Sequence, residues 1–328
     1  MRKHSKNLST STQPAIFNST KNTTKSAELL SVNSFIESTS VKVTPFLILL
    51  VLSAAVLHAV WNAMAKSDGT PEITIASYQL TGTIVCIGPA LFWFPFPNHE
   101  TWPMIFGSAV IHNFYYFALA RAYRAGDLSQ VYPIFRGMAP VLVALGAAIF
   151  GDEYLSKGTF IGIIFISVGV ISLAFNSSKF GAMPPKALIW AVITAILIAT
   201  YTVFDGLGIR AASNKMSYIV WLFTLEIIPI GSIMLVTRGP QWRAYLIANR
   251  WKVVAGGLAS GTAYALVIYA MSLGAMAVVS SLRETSVIFA AIIGTLFLRE
   301  PFGKNRIRAA ILVAAGIILM RWLDNYSF

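Results

Sequence analysis

Residues 45–65 read PFLILLVLSAAVLHAVWNAMA. The run is almost wholly apolar, and its length matches the roughly 20 residues a helix needs to cross a ~30 Å hydrocarbon core. His58 and Asn62 within it, together with that length, argue against a cleaved signal peptide, although Ala63-Met64-Ala65 imitates a cleavage site. Similar runs recur at about 73–94, 103–123, 128–150, 158–175, 186–208, 217–236, 252–273, 276–298 and 306–323, each of roughly membrane-spanning length. Ten predicted spans with short loops leave no room for a soluble domain. The composition agrees: 56% of residues are hydrophobic and 12% charged, about half the usual soluble share. Mean hydropathy is +0.68. The fold class is an all-α polytopic membrane protein with ten transmembrane helices.

The net charge of +12 would suggest nucleic acid in a soluble chain. Here it fits lysines and arginines holding loops on one side of a bilayer, so no nucleic-acid partner is expected. Cys86, the only cysteine, lies inside an apolar run, which removes an intrachain disulfide and a Cys-based metal site. Four histidines (His4, His58, His99 and His112) are too few and too scattered for a histidine-box metalloenzyme. Residues 1–42 differ from the rest of the chain. They are rich in Ser, Thr and Lys with little apolar surface, and read as a disordered extension.

The ten spans divide into five and five, over residues 43–178 and 184–324. A shift of 147 residues puts Arg136 on Arg283, Glu153 on Glu300, Lys157 on Lys304 and Gly169 on Gly316. A shift of 148 puts Tyr116 on Tyr264 and Gly126 on Gly274, and a shift of 143 puts Trp61-Asn62 on Phe204-Asp205. Charged residues are scarce, so these coincidences at nearly one offset point to an internal repeat. An odd number of spans per half makes the two copies inverted. Inverted repeats around a midplane site are an architecture of secondary transporters.

These residues carry a resemblance. The ten spans, the five-plus-five repeat, the stretch YFALARAYRAGDLSQVYP at 116–133 and the helix-ending Glu153 and Glu300 resemble the EamA family of the drug/metabolite transporter superfamily. The resemblance covers roughly residues 45–323. It implies a secondary transporter, usually an exporter of small metabolites or amino acids, with a cavity lined by spans 1, 3, 4, 6, 8 and 9. It names a class and not a cargo.

Loop charges address orientation. Five lysines and arginines lie near the spans on the N-terminal side and thirteen on the other, which puts both termini outside the cytoplasm. The resemblance implies the opposite.

Charged residues within spans are costly and point to function. Arg136 and Arg283 lie at equivalent places in the repeat, about two turns into spans 4 and 9. Two guanidiniums facing one cavity suit a carboxylate or phosphate held by bidentate hydrogen bonds. The plainer reading pairs each with a carboxylate or carbonyl. His58, Asn62 and Lys66 fall on one helical face of span 1, Tyr201, Thr202 and Asp205 form the matching patch on span 6, and His112, Asn113 and Tyr116 lie on span 3. Lys66 also fits a span end, and a lone histidine in a helix is more often a structural hydrogen-bonder than a proton relay. Tyr132 precedes Pro133, whose missing N–H can kink span 4 beside the cavity.

Coupling to protons needs a carboxylate within reach of both sides. Asp205 with His58 is the first candidate and Glu226, central in span 7, the second, since the resemblance leaves span 7 outside the cavity. Glu284 either binds substrate or neutralises its neighbour Arg283. Glu153 and Glu300 read as loop or interface residues. Gly158 with Gly162, and Gly257 with Gly261, read as small-residue packing pairs.

Three functions compete. The chain has no GxxxxGK[ST] loop for ATP, and no HExxH, GxSxG or ligand-spaced histidine cluster for an integral membrane enzyme acting on lipid or small substrates. A receptor would need a larger extramembrane region. The reading that remains is a secondary active transporter of a small organic metabolite, an amino acid or other anion-bearing compound, exported by alternating access without a cofactor or metal. Its expected partners are that substrate, the lipid bilayer of the cell membrane and a coupling proton, in a monomer or homodimer.

Overall fold

The computed structural model describes residues 44–66, 70–176, 183–289 and 304–324. They form ten α-helices and two short 3-10 turns, and no strand occurs among the described residues. The helices are α1 (Pro45–Lys66), α2 (Pro71–Phe92), α3 (Trp102–Ala125), α4 (Leu128–Phe150) and α5 (Lys157–Ser172) in the first half. The second half holds α6 (Pro185–Ala211), α7 (Lys215–Ala248), α8 (Arg250–Met271), α9 (Met276–Arg283) and α10 (Lys304–Asp324). By length and composition α1, α2, α4, α6, α7 and α8 can cross a membrane, while α5 and α10 are shorter apolar helices.

Local sequence sets the helix starts. Proline opens α2 and α6, where its missing N–H has no intrahelical use. Thr44 Oγ1 accepts from Leu47 N at 3.2 Å, Ser156 caps α5 through Thr159 N, and Asn214 caps α7 through Ser217 N. Hydroxyls inside the spans turn back on their own helix. Ser77, Thr194, Thr202 and Ser281 each donate to the carbonyl four residues earlier, which satisfies them without a partner from lipid.

Two elements depart from the spans that the apolar runs predict. The run of span 7 ends near residue 236, yet helix continues to Ala248 across a kink at Arg238 (φ −141°, ψ 24°), followed by Gly239-Pro240. The added segment folds back on α2, where Trp242 Nε1 donates to Ser77 Oγ at 3.0 Å and Tyr245 pairs with Thr74 at 3.1 Å. The run of span 9 predicts one unbroken helix. Instead the helix ends at Arg283, turns at 284–285 and resumes at 286–289. The rest of that span, Glu300 included, lies outside the described residues, as do residues 1–43.

Packing follows the repeat. α1 lies against α8 and α6 against α3; α2 lies against both α7 and α8, and α7 against α3; α5 pairs with α10. Exchanging the halves carries this pattern onto itself. Equivalent glycines permit equivalent approaches: a Cβ on Gly126 would come within 2.6 Å of Ala187 at the start of α6, and one on Gly274 would strike Leu47 at the start of α1. α5 and α10 approach closely, since a Cβ on Gly162 would lie 2.6 Å from the Gly316 carbonyl oxygen. Large apolar side chains such as Phe92, Ile84, Ile233 and Ile311 point outward, as a lipid-facing surface requires.

Candidate functional site

Arg136 is eight residues into α4 and Arg283 seven into α9, and these helices start from opposite ends of the bundle. At 1.5 Å per residue, each guanidinium-bearing backbone sits about 10–12 Å deep. Two such depths from opposite faces meet near the middle of a ~30 Å core. A cavity of about 90 Å³ lies there, room for several waters, and both arginines line it. Its other polar lining includes His58, Gln79, His112, Tyr116, Tyr201 and Glu226.

The two arginines differ in what holds them. Arg136 Nε lies 2.9 Å from Glu284 Oε2, poorly aligned for a linear hydrogen bond, and Nη2 donates to Ser286 Oγ at 3.2 Å. Arg283 Nε stands 3.9 Å from Glu284 Oε1. Among the described residues, neither Nε nor Nη2 of Arg283 has a hydrogen-bond partner, although its side chain is only 3% exposed. One carboxylate, Glu284, thus lies within 4 Å of both arginines. A buried guanidinium with free donors is costly unless an anion completes it.

Opposite the arginines, Glu226 Oε1 accepts from Tyr116 Oη at 2.9 Å and Gln79 Nε2 at 2.6 Å; Gln79 also contacts Tyr116 Oη. His112 Nε2 is 3.9 Å from Glu226, and the His112 ring stacks on Tyr201 with centroids 3.9 Å apart. His112 Nδ1 is bound locally to Ser108. Trp61 Nε1 donates to His58 Nδ1 at 3.2 Å.

Several candidates lie elsewhere than their helical spacing suggests. Asp205 is fully buried behind the cavity wall, accepting from Tyr218 Oη at 3.0 Å and from Tyr264 Oη. Asn62 donates to the His58 carbonyl at 2.7 Å, and Asn113 likewise bonds back to Ala109. Thr202 returns to Ile198. Tyr132 packs edge-on against Phe135, and Glu284 lies behind Arg136; neither lines the cavity. Glu226 does line it, so α7 contributes a wall that the expected helix set leaves out. α2 does too, through Tyr78, Gln79 and Gly82. Gln79 escapes a search for charged residues because it carries none, though an amide within an apolar span is a usable signal.

At the end of the bundle holding the α1 N-terminus, residues that read as loop in the sequence link the ends of α4, α6, α8 and α9. α4 ends in a turn in which Asp152 takes φ 48° and the N–H groups of Gly151 and Glu153 both donate to the Ala147 carbonyl, at 2.9 and 3.1 Å. Glu153 Oε2 then accepts from Arg210 Nη2 at 2.8 Å and from Met276 N at 3.1 Å, capping α9. Arg210 also donates to the carbonyls of Met271 and Gly274. At the other end, Glu72 pairs with the exposed Arg124 at 2.5 Å and lies 3.8 Å from the half-buried Arg238. Among the described residues no group of three or more His, Cys, Asp or Glu side chains could hold a metal.

The EamA-like transporter family matches this chain twice, over residues 45–175 and 185–322. The chain belongs to the EamA-like transporter family. The two matched segments coincide with the two five-helix halves, and this EamA-like chain is a multi-pass protein of the cell membrane. A protein of Sinorhizobium sp. described as "Uncharacterized transporter in cobO 3'region" is 26% identical over 132 residues, covering 40% of this chain and 93% of that one. A solved crystal structure superposes with a TM-score of 0.69 at 16% identity, covering 85% of this chain and 97% of the other. At that identity the likeness concerns the fold alone.

Proposed function

We propose that this EamA-like protein is a secondary active transporter that exports a small organic metabolite bearing an acidic group, an amino acid or another small anion, by alternating access. The ten predicted spans form two inverted repeats, the ninth broken after Arg283, with the cargo site at their shared midplane. The observation that carries this reading is Arg283, buried at the cavity, with Nε and Nη2 free of hydrogen-bond partners among the described residues and Glu284 shared with Arg136. An anionic group there would supply the missing charge and accept paired hydrogen bonds. Tyr116, Tyr201 and His112 shape the walls, and the Glu153–Arg210 contact is a closed gate on the side of the α1 N-terminus.

Glu226 is the proposed proton-coupling group, ahead of Asp205 and His58. It faces the cavity, whereas Asp205 is enclosed by two tyrosine hydroxyls. The test is flux in proteoliposomes loaded with labelled amino acids and organic acids, under an imposed proton gradient. Gradient-dependent movement of an anionic compound is expected, lost in Arg283→Gln and uncoupled from the gradient in Glu226→Gln. Flux confined to cationic compounds, and unaffected by Arg283→Gln, would contradict the proposal.

A further inference from the structure

Gly261 does not pack as the spacing of Gly257 and Gly261 suggests. A Cβ on Gly257 would lie 2.5 Å from Thr81 Cβ, a true helix contact, whereas one on Gly261 meets nothing within 4 Å. The same holds for Gly82 on the facing helix α2. Both glycines line the polar cavity, and both also line a second space of about 400 Å³ between α1, α2, α7 and α8. That groove is walled by apolar side chains such as Leu50, Cys86, Ile219 and Leu266. Val85 and Leu258 at its edge are exposed on the lipid-facing surface. Phe223 is the third residue shared by both spaces, and its carbonyl is fixed to α2 by Thr83 at 2.8 Å.

The two spaces adjoin at Gly82, Phe223 and Gly261, with the Arg283 guanidinium, whose Nε and Nη2 have no hydrogen-bond partner among the described residues, in one and hydrocarbon walls in the other. Resting on the anion reading above, we propose that the groove beyond Gly82 and Gly261 holds the apolar tail of the cargo, and that the cargo is an amphipathic acid. Its carboxylate lies against Arg283 and its hydrocarbon chain passes between the two glycines beside Phe223. Side chains at either glycine would fill the passage, which accounts for open space where a helix would gain stability from alanine. A fully polar cargo would leave the groove's apolar surface without a use.

The test is equilibrium binding of straight-chain carboxylates of four, six, eight and ten carbons to the protein in lipid nanodiscs, with empty discs measuring partition into lipid. Burying each methylene is worth a factor of about four at most. Affinity should rise severalfold with each two-carbon step, decanol should bind far more weakly than decanoate, and Arg283→Gln should weaken binding of every acid by about 10–100-fold. In Gly261→Leu the gain with length should vanish, leaving all four acids near the affinity of butyrate. Gly261→Ala and Gly82→Ala, for which the fold has room, should give intermediate slopes at an unchanged or slightly raised melting temperature. Arg283-dependent binding with no gain with length, or with a gain that survives Gly261→Leu, would overturn the groove while sparing the anion site. Decanol binding as tightly as decanoate would assign the groove to bilayer lipid and overturn the proposal. Absence of Arg283-dependent binding by any carboxylate would remove the anion reading itself.

Discussion

The two halves carry the same arginine at the same place and treat it differently. In the first half Arg136 is followed by Gly137, and in the second Arg283 is followed by Glu284. Gly137 lies so close to α5 that a Cβ would come within 2.5 Å of Ile171 Cγ1 and 2.8 Å of the Ser167 carbonyl oxygen. No carboxylate fits there, and α4 runs on unbroken. On the second half the helix stops at Arg283, and Glu284 reaches across to Arg136. Duplication thus supplied two cations, while local packing allowed one anion. Arg136 holds the shared carboxylate at 2.9 Å and Arg283 at 3.9 Å, and in the proposed function the second arginine is the one a ligand completes.

The largest effect should come from removing the shared carboxylate. Glu284→Leu would leave two guanidiniums buried without a counter-charge, a loss of about 3–5 kcal/mol read as failed expression or a large drop in melting temperature. Adding Arg283→Gln to it should recover part of that loss. If Glu284→Leu melts like the parent, the claimed pairing is absent. Arg283→Gln alone should cost little stability, because it removes an uncompensated charge, yet weaken carboxylate binding by about 10–100-fold, the worth of a charge-assisted hydrogen bond. Arg136→Gln sharpens the contrast. It frees Glu284 for Arg283, so it too should weaken anion binding, through competition and not through lost contact.

A smaller effect belongs to the gate. Glu153→Gln keeps the shape but weakens the Arg210 pair and the α9 cap, for an expected loss of about 1–2 kcal/mol in thermal melting. Smallest is the effect at Gly261, set against Gly257 on the same helix. Gly257→Ala should destabilise by about 1–3 kcal/mol through its contact with Thr81, whereas Gly261→Ala should be neutral or stabilise by up to about 1 kcal/mol. Equal losses at both would mean that Gly261 is a packing residue after all.

Much of this is legible in the sequence for a physical reason. Apolar runs must be long to cross lipid, and charges within them are so scarce that a repeated arginine stands out. The offset of 147 therefore locates both cavity arginines and the two halves. Helical spacing is a weaker guide. Asn62, Asn113 and Thr202 have the right phase, yet short polar side chains in apolar helices satisfy themselves on the preceding turn. Asp205 has the right phase as well, but two tyrosines enclose it. Glu153 lies at a helix end and looks like a loop residue, because its partners Arg210 and Met276 are distant in sequence. The break after Arg283 is hidden for a similar reason: Glu284 and Thr285 are no helix-breakers, and the turn is made by tertiary pairing.

The most direct test is the melting temperature of the purified protein with and without a small carboxylate, compared between the parent, Arg283→Gln and Arg136→Gln. A ligand bound only by the folded state raises it by mass action. A rise is expected in the parent, no rise in Arg283→Gln at nearly parental starting stability, and a reduced rise in Arg136→Gln from a lower start. A full rise in Arg283→Gln, or a collapse of its stability without ligand, would show that the second arginine is a structural partner like the first.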